Sequence, residues 1–261
     1  EGKRIPIVQD FSMRILRGDR IGILGRNGSG KSTFLKLLMG EMEADSGFIN
    51  RSKKIELAYF DQHRSALDPK KTLWKTLAPN SDYVFFGSGE KKKHKHVAAY
   101  LKDFMFDPKR AKDDVGTLSG GMQNRLMLAR TLINPGNLMI LDEPTNDLDM
   151  DTLDMLQGIL ADYSGTLIIV SHDRDFLDRT VTEVLAFEGE ASVRSYFGGY
   201  SDYLAQSGKA LAKATAKPGK AKSTKLEVRH SRAGGNPASP QRGTGESSTN
   251  SGQGNFTVNT P

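Results

Sequence analysis

An α/β domain interrupted by a helical insertion is predicted by three features of the 261-residue sequence. Short apolar runs alternate with segments of helical spacing, the pattern of α/β domains. One of these runs, Arg20-Ile-Gly-Ile-Leu24, ends in glycine and leads directly into a helical stripe. Between about residues 63 and 135 the apolar runs give way to charge and helical periodicity.

The elements follow in order. Residues 20–24 read as a strand, and Ser32 to Gly40 as a helix with Phe34, Leu37 and Leu38 on one face. Gly47–Asn50 and Ile55–Phe60 read as strands. Inside the insertion, Val97, Tyr100, Leu101 and Phe104 form one amphipathic stripe, and Met122, Leu126, Ala129 and Ile133 another. Leu138–Leu141 and Thr166–Val170 return as buried strands, with Leu153, Leu156, Leu160 and Tyr163 spacing a helix between them. Beyond about residue 206 the pattern dissolves. Residues 206–261 form a basic, low-complexity tail, too poor in large apolar residues to offset its chain entropy. This tail is expected to be disordered and is assigned no fold.

Composition excludes several classes. No run approaches the ~18 apolar residues of a membrane span, and mean hydropathy is −0.48. The chain has no cysteine, so no disulfide framework and no thiolate metal site. Residue 1 is Glu, and no basic segment followed by an apolar stretch marks export, so a fragment or processed chain in the cytoplasm is expected. The net charge of +6 is uneven. Nine Lys/Arg against two acids put +7 on residues 206–261, which leaves −1 for residues 1–205. The pI of 9.3 therefore belongs to the tail and does not make the body a nucleic-acid binder.

Gly25-Arg26-Asn27-Gly28-Ser29-Gly30-Lys31-Ser32-Thr33 matches G-x-x-x-x-G-K-[ST], with a strand entering and an amphipathic helix leaving. Glycines let backbone N–H groups approach a phosphate closely. The helix N-terminus adds its positive dipole end. Lys31 supplies a point charge for β- and γ-phosphates, and the Ser32 hydroxyl suits a Mg²⁺ ligand. An ordinary glycine turn is the bland alternative, and the strand–loop–helix context argues against it. Downstream, Leu138-Met-Ile-Leu-Asp142-Glu143 is an apolar strand ending in adjacent carboxylates. Strand alternation sends neighbours to opposite faces, so the two need a local bend to share a site. Asp142 is placed to hold Mg²⁺, and Glu143 to polarise the attacking water or take its proton.

Four more segments resemble the ATP-binding cassette (ABC) ATPases. Gln62 in Tyr59-Phe-Asp-Gln62 resembles the Q-loop glutamine, which implies contact with Mg²⁺ and the attacking water. Leu118-Ser119-Gly120-Gly121 resembles the family signature, which implies that Ser119, Gly120 and Gly121 meet a γ-phosphate; Met122 follows where the family usually has Gln or Glu. Asn146-Asp-Leu-Asp149 resembles the D-loop, and His172 the switch histidine. Glu143-Pro-Thr-Asn146, Ser171-His-Asp-Arg-Asp-Phe-Leu177 and Gly198-Gly-Tyr-Ser-Asp-Tyr203 resemble the ABC-F group, and Tyr59-Phe-Asp-Gln-His-Arg64 with Leu67-Asp-Pro69 the second cassette of its bacterial Uup branch. The resemblance covers roughly residues 3–205. It implies a P-loop NTPase fold with a RecA-like core and an antiparallel β edge. It also implies ATP and Mg²⁺ as ligands, and closure with a second cassette in the same full-length chain or a homodimer. Ribosomes with their rRNA, or DNA-linked processes, are the implied partners. The resemblance places the family's adenine-stacking aromatic about one strand upstream of the phosphate loop; position 1 is expected to begin just after it, so no such residue is named.

An ATP-binding subunit of a membrane transporter is the alternative, and the Asn146-Asp-Leu-Asp form argues against it. A non-enzymatic module in which ATP only orders a contact surface is a further alternative. Lys91-Lys-Lys-His-Lys-His96 reads as a solvated loop before a helix rather than a nucleic-acid contact, because no aromatic platform is interleaved with it in sequence.

Overall fold

A computed structural model describes residues 6–61, 67–86, 93–215 and 256–259. Its centre is a six-stranded sheet, in which β2 (Arg20–Gly25), β4 (Leu57–Asp61), β7 (Leu138–Asp142), β8 (Thr166–Val170) and β9 (Glu183–Gly189) run parallel and β10 (Ser192–Phe197) closes one edge antiparallel. The order is β10-β9-β2-β8-β7-β4. The inner strands are covered on both faces, which is why they read as continuous apolar runs without alternation. Every residue of β8 is buried.

Helices cover both sides. On one face α1 (Lys31–Met39) packs Phe34, Leu35 and Leu38 against Ile21, Ile23, Ile140 and Ile168. Phe11 and Ile15, the latter from β1 (Ser12–Ile15), complete that layer. The other face holds α4 (Gly120–Ile133), α5 (Met150–Asp162) and α6 (Arg174–Thr180), which bury Leu126, Leu156, Leu160, Phe176 and Leu177 over Leu141, Leu167 and Ile169. Two helix ends are tied down by guanidinium groups. Arg20 donates to the carbonyls of Leu160 (2.9 Å) and Tyr163 (2.8 Å) behind α5, and Arg51 to those of Leu37 and Leu38 behind α1. Cations there meet the negative end of the helix dipole.

The insertion between β4 and β7, expected to be mostly helical, is only partly so. It contains α2 (Leu73–Leu77), α3 (Val97–Asp103) and α4, but also a hairpin of β5 (Tyr83–Phe86) and β6 (Lys93–His96). The basic run expected to be a solvated loop is therefore a strand from Lys93 onward, paired with the aromatic segment Tyr-Val-Phe-Phe. Lys91 and Lys92 lie outside the described residues.

The tail also departs from expectation at two places. The helix α7 (Tyr200–Thr215) runs through the boundary expected near 205, because Ala and Lys are strong helix formers. The strand β11 (Phe256–Asn259) lies between β1 and β3 (Phe48–Asn50), antiparallel to both. Phe-Thr-Val-Asn has the aromatic and β-branched content that suits such a gap. The rest of the tail lies outside the described residues. No helix among the described residues is long and apolar enough to cross a membrane.

Ile169 is fully buried in a central strand. Ile169→Ala should lower unfolding stability by about 2–5 kcal/mol, read from a denaturant titration.

Candidate nucleotide site

Parallel strands point their C-terminal ends the same way, and the crevice outside those ends is where such sheets bind ligands. Four chain segments meet there. The loop after β2 contributes Asn27, Gly28 and Gly30, and α1 contributes Lys31, Ser32 and Thr33. The ends of β4 and β7 contribute Asp61, Asp142 and Glu143, and Asn146 and Val170 follow from β7 and β8. With Ile7 they line a cleft of about 420 Å³, within the usual range of small-molecule sites.

The phosphate loop is built around a buried lysine. Lys31 is 9% exposed, and its Nζ donates to the carbonyl oxygens of Gly25 (2.7 Å) and Arg26 (3.2 Å). Burial holds its pKa below the ordinary lysine value, and the carboxylates of Glu143 and Asp142 oppose that shift. Gly30 caps α1 in the left-handed region (φ 100°), and a Cβ there would collide with Ile7. The cap carries no side-chain acceptor, so the first-turn N–H groups of α1 keep their anion-binding direction. The Ser29 hydroxyl oxygen is buried and has no hydrogen-bond partner among the described residues. A loop that buries a cation, orients a helix N-terminus and leaves a buried hydroxyl unsatisfied fits a phosphate group.

The acidic strand end bends as the shared site requires. Glu143 takes φ 51°, the left-handed region, one residue past the end of β7. A non-glycine residue there costs of order 1–3 kcal/mol, and the bend brings both Asp142 and Glu143 to the same cleft. The Glu143 N–H is held by the Val170 carbonyl at 2.8 Å. His172, just past β8, places Nε2 3.3 Å from Glu143 Oε1. Burial raises the Glu143 pKa above the usual glutamate value; the charges of His172 and Lys31 pull it down and Asp142 pushes it up. Ser171 accepts the Asp173 N–H at 3.0 Å and shares a 3.0 Å hydrogen bond with Thr145, which fixes the turn that carries His172.

Asp61 was not among the residues singled out by sequence. Its register opposite Asp142 in the β4–β7 pair carries it to the cleft. The signal was present in the strand pattern, but only the pairing reveals it. Gln62, the next residue, lies outside the described residues. Ser32, Asp61 and Asp142 offer hard oxygen donors of the kind Mg²⁺ takes. Among the described residues no three His, Cys, Asp or Glu form a protein cage. Mg²⁺ usually keeps several waters and is bound through one or two carboxylates and substrate phosphates.

Ser119, Gly120 and Gly121 open α4 and do not line this cleft. The Ser119 hydroxyl caps α4 by accepting the Met122 N–H at 3.4 Å, and the Met122 sulfur takes a bond from Arg110. Behind them, α4 is fastened to the segment 146–149. Gly121 lies so close that a Cβ would stand 2.8 Å from the Asp147 carbonyl oxygen. Asn124 Nδ2 donates to the Asn146 carbonyl at 2.7 Å. Arg125 pairs with Asp149 at 2.6 Å, and Asp149 caps α5 through the Thr152 N–H. Hydrogen bonding from the Thr152 side chain and then its N–H, reinforced by Arg125, holds the Asp149 carboxyl below its usual range.

Comparison with known proteins agrees with this geometry. The sequence model of the ABC transporter family matches residues 8–146 of the 261. The chain belongs to the ATP-binding cassette family. It is 52% identical over 200 residues to the ATP-binding protein Uup of Escherichia coli (strain K12), covering 77% of this chain and 31% of that protein. It is 39% identical over 212 residues to the energy-dependent translational throttle protein EttA of Haemophilus influenzae (strain Rd), covering 81% of this chain and 37% of that one. The chain thus spans about a third of the length of these relatives. A solved dimeric ATP-binding cassette in a post-hydrolysis state with ADP and Pi superposes with TM-score 0.58 over 76% of this chain and 93% of that one, at 22% identity. The P-loop NTPase cassette fold expected from sequence is therefore the observed one.

Glu143→Gln removes a carboxylate that burial disfavours. A raised native pKa favours folding below the unfolded value of about 4.5, and that advantage is lost as pH rises through the native pKa. The variant should therefore match the parent in thermal midpoint at pH 4 and exceed it at pH 8. An equal difference at both pH values would remove desolvation as the cause. Asn124→Ala should cost about 1–3 kcal/mol through the buried bond to Asn146, read from equilibrium unfolding.

Proposed function

We propose that this chain is the ATP-binding and ATP-hydrolysing cassette of a longer protein, and that it closes with a second cassette around MgATP. The observation that carries this reading is the meeting of Lys31, the α1 N-terminus and the Asp142–Glu143 strand end in one cleft. Backbone N–H groups from Gly25, Arg26, Asn27, Gly28, Ser29 and Gly30 through Thr33 wrap the phosphates. Lys31 turns its ammonium from the loop carbonyls toward the β- and γ-phosphates. Ser32 and Asp142, with Gln62, would hold Mg²⁺, which would neutralise charge on the phosphate oxygens.

Glu143 orients the attacking water and accepts its proton as the water oxygen bonds to the γ-phosphorus. ADP leaves in line, with phosphate as the second product. The raised Glu143 pKa brings that carboxyl closer to the working range of a general base. His172, 3.3 Å from Glu143, holds the carboxylate and reaches toward the γ-phosphate. Ser119, Gly120 and Gly121 act on the other cassette's nucleotide, because they stand at a helix N-terminus away from their own cleft. A second helix N-terminus over the γ-phosphate excludes water and stabilises developing charge.

The relative named a translational throttle supports a role at ribosomes in the cytoplasm over one in membrane transport. The cassette is assigned to residues 1–205 by composition, with α7 continuing to Thr215 and β11 pairing with β1 and β3.

Lys31→Ala should weaken ATP binding at least tenfold by calorimetry, and unchanged affinity would remove Lys31 from the phosphate site. Glu143→Gln should bind ATP as the parent does and lose nearly all phosphate release. Turnover at the parent rate would take the general-base role from Glu143. The chain alone should hydrolyse slowly, with a specific rate that rises with protein concentration. Fast turnover by a demonstrable monomer would contradict closure with a second cassette.

A further inference from the structure

The β5–β6 hairpin is not explained by the nucleotide site. Its register places Tyr83 opposite His96 and Phe85 opposite His94 on one face, and Val84 opposite Lys95 and Phe86 opposite Lys93 on the other. The second face is anchored. Val84 is 1% exposed, Phe86 packs on Tyr100, and Lys95 is tied to Asp103 at 2.6 Å. The first face is open. Tyr83 is 46% and Phe85 58% exposed, and His94 and His96 are exposed beside them. Their rings form a continuous array, with Tyr83 5.8 Å from His94 and 5.7 Å from His96, and Phe85 6.1 Å from His94. Trp74 on α2 extends it, 5.1 Å from His96.

The array is held before any partner arrives. His96 caps α3 by accepting the Ala98 N–H through Nδ1, and the Trp74 indole donates to the Ser81 carbonyl. An exposed cation, Lys75, follows Trp74 on α2, while the exposed Lys93 stands at the end of β6 on the opposite face. Two acids lie close by, Asp82 before Tyr83 and Asp103, which neutralises Lys95. Folding supplies no reason to leave four rings open, since the buried face already seats the hairpin.

We propose that this face is a stacking platform for single-stranded RNA. Bases stack on exposed aromatic rings whatever their sequence. Lys75, next to Trp74, takes a phosphate. The Tyr83 hydroxyl and the imidazole edges present donors and acceptors to the ribose 2′-hydroxyl, which distinguishes RNA from DNA. The inference deepens the proposed role at ribosomes by naming a surface for it, and it is independent of ATP hydrolysis.

The test is fluorescence anisotropy of a labelled, unstructured RNA of ~8 nucleotides with the full 261-residue chain, ATP binding being measured on the same samples. Tyr83→Ser with Phe85→Ser should weaken RNA binding about tenfold or more, since each stacked base is worth about 1–3 kcal/mol, and should leave ATP affinity unchanged. Tyr83→Phe with Phe85→Tyr should keep most of the affinity, and Lys75→Gln should lower the salt slope by about one. Parent-level binding by the serine variant overturns the platform and leaves the ribosomal role standing through another surface. No RNA binding by a parent that still binds ATP overturns the platform and leaves the ATPase reading intact. Equal affinity for DNA of the same sequence, or hairpin-dependent capture of polyglutamate instead of RNA, also overturns it.

Discussion

Burying the Lys31 ammonium is the constraint from which the arrangement of the site follows. A cation taken out of water needs oxygen atoms around it. The loop supplies two carbonyls, and the ends of neighbouring parallel strands supply carboxylates. The pKa of Lys31 falls because burial outweighs those partners, so the loop holds a cation that is incompletely compensated by protein. A polyphosphate completes that compensation. The acid on the far side is tuned in the opposite direction, since burial raises Glu143 while His172 and Lys31 restrain it. One cleft therefore holds a cation suited to phosphate and a carboxyl suited to proton transfer, 112 residues apart in sequence.

The same cleft is linked mechanically to a second surface. The segment 146–149 leaves the acidic strand end and is gripped by α4 through Gly121, Asn124 and Arg125. Its far end caps α5 through Asp149. A displacement at Asn146, which lines the cleft, therefore acts on the helix that carries Ser119 at its N-terminus. Under the proposed pairing, this links the cleft to the helix N-terminus offered to the other cassette.

Much of this was legible in sequence because the chemistry is local. The loop 25–33 is contiguous, and its strand and helix carry clear periodicity, so element and role could be read together. The buried strands 138–141 and 166–170 were visible as uninterrupted apolar runs. What sequence could not supply was pairing. Asp61 reaches the cleft only because β4 lies beside β7 in register. The aromatic partners of the basic run were invisible because they stand about ten residues upstream, on the other arm of a hairpin. Strand alternation put Asp142 and Glu143 on opposite faces, and a single left-handed residue reversed that. Composition alone hid the helix through Thr215, because Lys and Ala serve tails and helices equally well.

The central claim is that a triphosphate is held by the backbone of the loop between β2 and α1. Hydrogen exchange of the intact chain, with and without a non-hydrolysable ATP analogue and Mg²⁺, addresses it at the residues concerned. The account predicts slowed exchange of amides in residues 27–33 and at the end of β7, while the β5–β6 hairpin stays unchanged. A nucleotide that binds and leaves the exchange of the loop amides untouched would contradict it.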